Sequence, residues 1–181
     1  MKMNDGSNRS GAASEGFTVW QRAANLAAEF HEGSCCPGTE TPYIIHPCRV
    51  ALLVSSVFGC DDPEVLAAAL LHDVLEKTRC DRPTLAVAMG STISEWVEWL
   101  SKDPQGSKER YWERLHVAPW QVRMIKMADA LDHLNGPAEY LADRLKAARK
   151  AVALGDSSSP EPLLQRAREV LGREIERLEI G

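Results

Sequence analysis

The chain has 181 residues, 44% of them hydrophobic and 26% charged, which suits one globular domain with a single sizeable core. Its formal net charge is -5 and it has no Lys/Arg run. That excludes a nucleic-acid polymer as the main partner, because phosphate-backbone binding needs a basic surface. A small phosphorylated ligand needs only a local positive site or a metal.

Residues 1–16 are rich in Gly, Ser, Asn and charge and are expected to form a flexible tail, with one domain over 17–181. From Phe17 to Phe30 apolar residues recur at helical spacing (Val19, Ala23, Leu26, Ala27). His31 to Tyr43 carries Gly33, Pro37, Gly38 and Pro42 and reads as a loop. A second helix is predicted from His46 to Phe58, stopped by Gly59. A third starts with Asp62 as N-cap and Pro63 at the first position, and is predicted to run to Lys77. Shorter helices follow over 83–89 and 93–100, then a polar connection, then a turn or two over Tyr111–Leu115. Helices from Pro119 to Leu134, from Glu139 to Leu154, and along the apolar stripe from Leu163 to Leu178 complete the chain. No alternating strand pattern occurs, so the expected class is all-α.

Five cysteines with no C-x-x-C pair argue against a disulfide framework or a zinc ribbon. The N-terminus lacks the apolar core of a signal peptide, and no apolar run is long enough to span a bilayer. The expected location is cytoplasmic, with no membrane partner.

The chemistry concentrates in PEVLAAALLHDVLEKT. Val65 to Leu71 are apolar on every face, so this helix belongs in the middle of the domain, yet His72 and Asp73 follow directly. An unpaired carboxylate there would cost several kcal/mol. A metal ion removes that cost, since it takes a deprotonated carboxylate and a neutral imidazole. Glu76 follows Asp73 by three residues and shares its helix face. A lone His-Asp dipeptide is more often a hydrogen-bonded structural pair. Two further segments bear on the choice. In TPYIIHPCRVA, His46 sits inward-facing at a loop-to-helix junction, as a cap or as a ligand. In VRMIKMADALDHL, Asp129 stands within an amphipathic helix, on a solvated face or at a site, with Lys126 and His133 at i−3 and i+4.

The order H…HD…D with these flanks resembles the HD phosphohydrolase superfamily, and more narrowly the small alarmone hydrolases and the hydrolase domains of RelA/SpoT type. The resemblance runs from about Phe17 to Leu178 and is carried by PYIIHP, AALLHDVLEKT and KMADALDHL, with SKERYWERL similar to the charged helix between them. It implies a single HD-type helical domain that uses Mn²⁺, with Fe²⁺ or Zn²⁺ as alternatives, to remove the 3′-pyrophosphate of guanosine tetraphosphate (ppGpp). By position it makes His46, His72, Asp73 and Asp129 the metal ligands, a mixed N/O set. It gives Glu76 the handling of water and sets Lys126 either against phosphate or as a brace for the ligand helix.

Three departures fall where the family meets its ligand. The Glu-Asp pair after the HD motif is Glu76-Lys77, so Lys77 stands where an acid assists water activation. The loop that carries an Arg-Lys pair over the base offers Cys36 and Pro37. The Asn four residues after the last metal Asp, which contacts the nucleoside, is His133. The expected partner is a small phosphorylated nucleotide, with ppGpp leading and handled less well than by a relative with the usual residues. Hydrolysis of another nucleotide, or nucleotide sensing with little turnover, are the alternatives. Adjacent Cys35 and Cys36 read as loop residues, and His31 as structural.

Overall fold

The computed structural model describes residues 10–155 and 160–180, with side chains from Val19 onward. Among them the secondary structure is helical, apart from one isolated antiparallel bridge between Cys35 and Pro42. The all-α expectation holds. Helix α1 spans Ser10–Phe30 and so takes in residues 10–16, which composition assigns to a tail; residues 1–9 of that expected tail lie outside the described residues. The loop that follows places Gly33 and Gly38 at φ 74°, in the left-handed region that glycine enters without steric cost.

Helix α2 (Ile45–Leu52) passes into a π-helical turn over Leu53–Val57, where a continuous helix to Phe58 was predicted. Gly59, at φ 83°, ends it as expected. Helix α3 (Pro63–Leu71) starts where predicted: the Asp62 carboxylate accepts from the backbone N–H of Glu64 at 2.9 Å. Such a cap contributes about 1 kcal/mol. The predicted continuation to Lys77 is interrupted. Helix α3 stops at Leu71, Asp73 turns to φ −104°, ψ −5°, and α4 (Val74–Lys77) restarts from there. Periodicity cannot reveal this break, because no Gly or Pro marks it and Val74 and Leu75 continue the apolar run.

Helices α5 (Arg82–Met89) and α6 (Ser91–Leu100) meet at Gly90, and α7 (Lys108–His116) is longer than the turn or two predicted. Helix α8 (Trp120–Leu134) matches its prediction closely. A 3-10 turn over Ala138–Tyr140 leads into α9 (Leu141–Val152), and α10 (Pro162–Ile180) closes the domain.

Two helices form the centre. Helix α3 packs against α1, α2, α6 and α8, and its Val65 and Ala67–Leu71 are buried. Its alanines let neighbours approach: α1, whose Ala23 and Ala27 are fully buried one turn apart, lies against it. Each fully buried Leu or Val contributes roughly 1.5–3 kcal/mol. Helix α8 is the second axis and contacts α2, α6, α7, α9 and α10. The end of α3, the start of α2 and the last half of α8 therefore converge. Helix α7 is pinned beside them: the Tyr111 hydroxyl donates to the Leu100 carbonyl at 2.7 Å, and Arg114 donates to the carbonyls of Trp99 and Ser101 at 3.2 and 2.5 Å.

Candidate metal centre

His46 enters from the first turn of α2, and its ring orientation is fixed. Its Nδ1 donates to Asp132 Oδ2 at 2.8 Å, and Asp132 is itself held by Arg49 through Nε at 2.6 Å and Nη2 at 2.9 Å. His72 sits in the turn after α3, where its Nδ1 donates to the Ala69 carbonyl at 2.8 Å. Both imidazoles therefore turn Nε2 toward the same point. Both Nε2 atoms are buried and have no hydrogen-bond partner.

Two carboxylates face them. Asp73 Oδ2 lies 3.4 Å from His72 Nε2 and 3.6 Å from His46 Nε2. Asp129 Oδ1, from α8, lies 3.3 Å from His46 Nε2 and 3.8 Å from His72 Nε2. The break between α3 and α4 explains how neighbours His72 and Asp73 converge: on a continuous helix they would point about 100° apart. His46, His72 and Asp73 offer donor atoms within 4.8 Å of one another, as do His46, Asp129 and His133.

Charge is balanced unevenly around these groups. Burial alone would raise the Asp73 carboxyl, but His72 and, to a lesser degree, Lys77 outweigh it and hold Asp73 well below the usual range. Burial likewise opposes ionisation of Asp129; Lys126 beside it, at 2.5 Å, with His133 and His46, reverses that. Burial also disfavours protonation of His46, yet Asp129 and Asp132 lift its pKa to about 9. A divalent cation would relieve the same excess of negative charge while leaving the imidazoles neutral. Orphaned buried nitrogens facing ionised carboxylates are the donor set that a divalent ion takes.

The residues expected to act on substrate lie around this cluster. Glu76 lines the adjoining cavity, but Lys102 holds its carboxylate through both backbone N–H (3.0 Å) and Nζ (2.9 Å). Lys77 Nζ stands 3.5 Å from Asp73 Oδ2 and 5.0 Å from the centre of the Tyr43 ring. Lys126 is largely buried, and Asp129 more than offsets the burial that would otherwise lower its pKa. His133 Nε2 lies 3.1 Å from Asp129 Oδ1. Cys36 and Pro37 line a cavity that also reaches His46 and His133. His31 is buried with its ring on Tyr43, centroids 4.7 Å apart.

Sequence reasoning missed four of these partners. Tyr43 donates its hydroxyl to Asp73 Oδ2, and burial together with Asp73 raises its pKa, so it stays a donor. Asp132 and Arg49 orient His46, and Lys102 engages Glu76. Helical spacing carried part of the signal: Arg49 follows His46, and Asp132 follows Asp129, by three residues, onto the same faces.

Known proteins resemble this chain in sequence and in fold. The guanosine-3′,5′-bis(diphosphate) 3′-pyrophosphohydrolase MESH1 of Danio rerio is 36% identical over 124 residues, covering 65% of this chain and 68% of that protein. The bifunctional (p)ppGpp synthase/hydrolase SpoT of Escherichia coli K12 is 31% identical over 125 residues, 64% of this chain and 17% of that protein. A solved structure described as a metazoan ortholog of SpoT that hydrolyzes ppGpp has the same fold, with a TM-score of 0.71 at 24% identity, covering 86% of this chain and 95% of that one. No helix among the described residues is long and apolar enough to cross a membrane. Residues 23–158 match the model of the HD domain, and with the His and Asp residues above assembled inside that span, the chain belongs to the HD-domain family.

Proposed function

We propose that this chain is a metal-dependent phosphohydrolase that removes the 3′-pyrophosphate of ppGpp or a close nucleotide relative. The observation that carries the reading is the pair of buried, unpartnered Nε2 atoms of His46 and His72 facing Asp73 and Asp129. The substrate class comes from the relatives, whose names give ppGpp. His46, His72, Asp73 and Asp129 hold one divalent ion, with manganese the expected metal and iron or zinc the alternatives. The bound ion supplies Lewis acidity and a water of lowered pKa.

The walls suit a polyanion attached to a nucleoside. A cavity of about 280 Å³ beside the donors is lined in part by Lys77, Lys102, Lys108 and Lys126. A second, of about 640 Å³, shares Trp112, Asp129 and His133 with the first and adds Tyr140 and Arg144. Its volume is ample for a nucleoside. In the reaction the water oxygen forms the new bond to phosphorus, the bond to the ribose 3′ oxygen breaks, and that oxygen takes a proton. Glu76 accepts the proton of the attacking water once substrate draws Lys102 from it. Lys77 and Lys126 offset phosphate charge, and Lys126 also keeps Asp129 ionised. Five unpaired cysteines fit a reducing, cytoplasmic setting.

A second reading is favoured by two contacts: Glu76 is held by Lys102, and Asp73 is approached by Lys77, where the family carries an acid. That arrangement fits a nucleotide sensor with little turnover. A single assay separates them. Purified protein is loaded with Mn²⁺, Fe²⁺ or Zn²⁺ and offered ppGpp within a panel of nucleotides, with pyrophosphate release and ligand binding both measured. Release from ppGpp, with kcat/KM below that of a standard alarmone hydrolase, supports the enzyme. Binding without release supports the sensor, and a protein that retains no ion under any condition overturns both.

A further inference from the structure

Asp129 Oδ1 is approached by three imidazole nitrogens: His133 Nε2 at 3.1 Å, His46 Nε2 at 3.3 Å and His72 Nε2 at 3.8 Å. Two of these belong to the four-residue site already described. The third follows Asp129 by one helical turn on α8, and its ring stacks on His46 with centroids 4.7 Å apart and planes 28° apart. Neighbouring donors around one ion stand roughly 3 Å apart, given bonds of about 2.1 Å to nitrogen and oxygen. His133 Nε2 meets that spacing against Asp129 more closely than His72 Nε2 does. An ion pair between His133 and Asp129 alone would account for the 3.1 Å contact, but not for the stack on His46, which brings donor atoms of His46, Asp129 and His133 within 4.8 Å of one another.

We infer that His133 is a third imidazole ligand of the same ion, so that this chain offers five donors (His46, His72, His133, Asp73 and Asp129) where the resemblance counts four. The inference rests on the metal site proposed above. Its chemical consequence is a change in preference. Imidazole favours zinc, cobalt, nickel and iron, whereas carboxylate and water suit manganese. An added imidazole therefore raises affinity for the first group more than for manganese. With five protein donors a six-coordinate ion would keep one open position instead of two. The His133 side chain is 48% exposed while those of His46, His72, Asp73 and Asp129 are 3–13% exposed, so it is the donor that can swing out to admit a phosphate oxygen without opening a buried void.

The test compares the full-length wild type with His133→Asn and His133→Ala. Each is titrated calorimetrically with Co²⁺, Zn²⁺ and Mn²⁺, and the imidazoles bound to Co²⁺ are counted by X-ray absorption. The expected result is three imidazoles in the wild type and two in each variant. Affinity for Co²⁺ and Zn²⁺ should fall by about tenfold or more and for Mn²⁺ by less than about threefold, in line with ligand softness. Asp73→Ala is the control that removes binding altogether. Two imidazoles in the wild type, or unchanged Co²⁺ affinity in the variants, overturns the role of His133 and leaves the four-residue site standing. A wild type that binds none of the three ions overturns the site and this inference together.

Discussion

The side chains of His46, His72 and Asp129 are 3–7% exposed, while those of Lys77, Lys102 and His133, a few ångströms away, are 37–48% exposed. The first group is built from three elements of the core and each member is fixed from behind: His46 by Asp132, His72 by the Ala69 carbonyl, Asp129 by Lys126. The second group is held by pairs that water can compete with, such as Glu76 with Lys102. Burial makes the cluster preorganised and costly, and the proposed cation would offset that cost. Exposure lets the cavity side chains rearrange when a polyanion arrives. A rigid ligand set beside an adaptable rim suits a hydrolase whose ion must stay while its substrate comes and goes.

The harshest way to break this contrast is to remove a donor. Asp73→Ala deletes the carboxylate that both orphaned nitrogens approach and that Tyr43 and Lys77 contact. Metal binding should vanish, and hydrolysis should fall by about 10³-fold or more, because the ion supplies several kcal/mol of transition-state stabilisation. Metal analysis after dialysis, together with pyrophosphate release, checks both; an ion retained at full stoichiometry would remove Asp73 from the ligand set.

The adaptable rim should behave differently. Glu76→Gln is expected to keep the ion and lose roughly 10²–10⁴-fold in kcat, the usual share of a general base. Lys102→Met, which removes the Nζ contact with Glu76 and leaves the backbone N–H in place, should change kcat by less than about tenfold, since a surface ion pair is a weak restraint. Wild-type turnover in Glu76→Gln would move proton transfer to another group.

Behind the donors, Asp132→Ala tests the support of His46. It strands Arg49 and frees the imidazole to rotate. Carboxylates that orient a ligating histidine are typically worth 10–100-fold in metal affinity. Calorimetric titration with Mn²⁺ should show a loss of that size with the fold intact by circular dichroism. Unchanged affinity would mean that packing alone orients His46.

What the sequence discloses follows the same division. Helix α3 was legible because an all-apolar run can only be central, and α8 because its stripe and its Asn135-Gly136-Pro137 stop are local signals. The four donors were legible only as an ordered set; none stands out alone. The break at His72-Asp73 was not legible, since it is set by tertiary placement of the two side chains rather than by a Gly or Pro. Asp132, Arg49, Tyr43 and Lys102 were missed for a related reason. Their roles depend on contacts spanning 26 to 86 residues of chain, which periodicity does not encode. Lys77 and His133 were flagged as departures, and the structure brings each against a donor carboxylate.

The last effect expected is that of pH, and it runs in opposite directions with and without the ion. In the ion-free protein burial pushes the His46 pKa down, Asp129 and Asp132 push it up, and the carboxylates win, to about 9. Its folded value thus lies above its ordinary value of 6.5. The corresponding stabilisation is fully present below pH 6.5 and is lost as pH rises through 9. Ion binding needs the neutral imidazole, so each ion bound displaces a proton, and affinity should rise by up to about tenfold per pH unit until pH 9 is reached. Thermal scans at pH 6.5, 7.5 and 8.5 check both signs. With a chelator present Tm should drift down by a few degrees across the series, whereas at a fixed, subsaturating Mn²⁺ concentration the gap between the ion-bound and chelated samples should widen. A gap that fails to widen with rising pH would mean that His46 does not give up a proton to the ion.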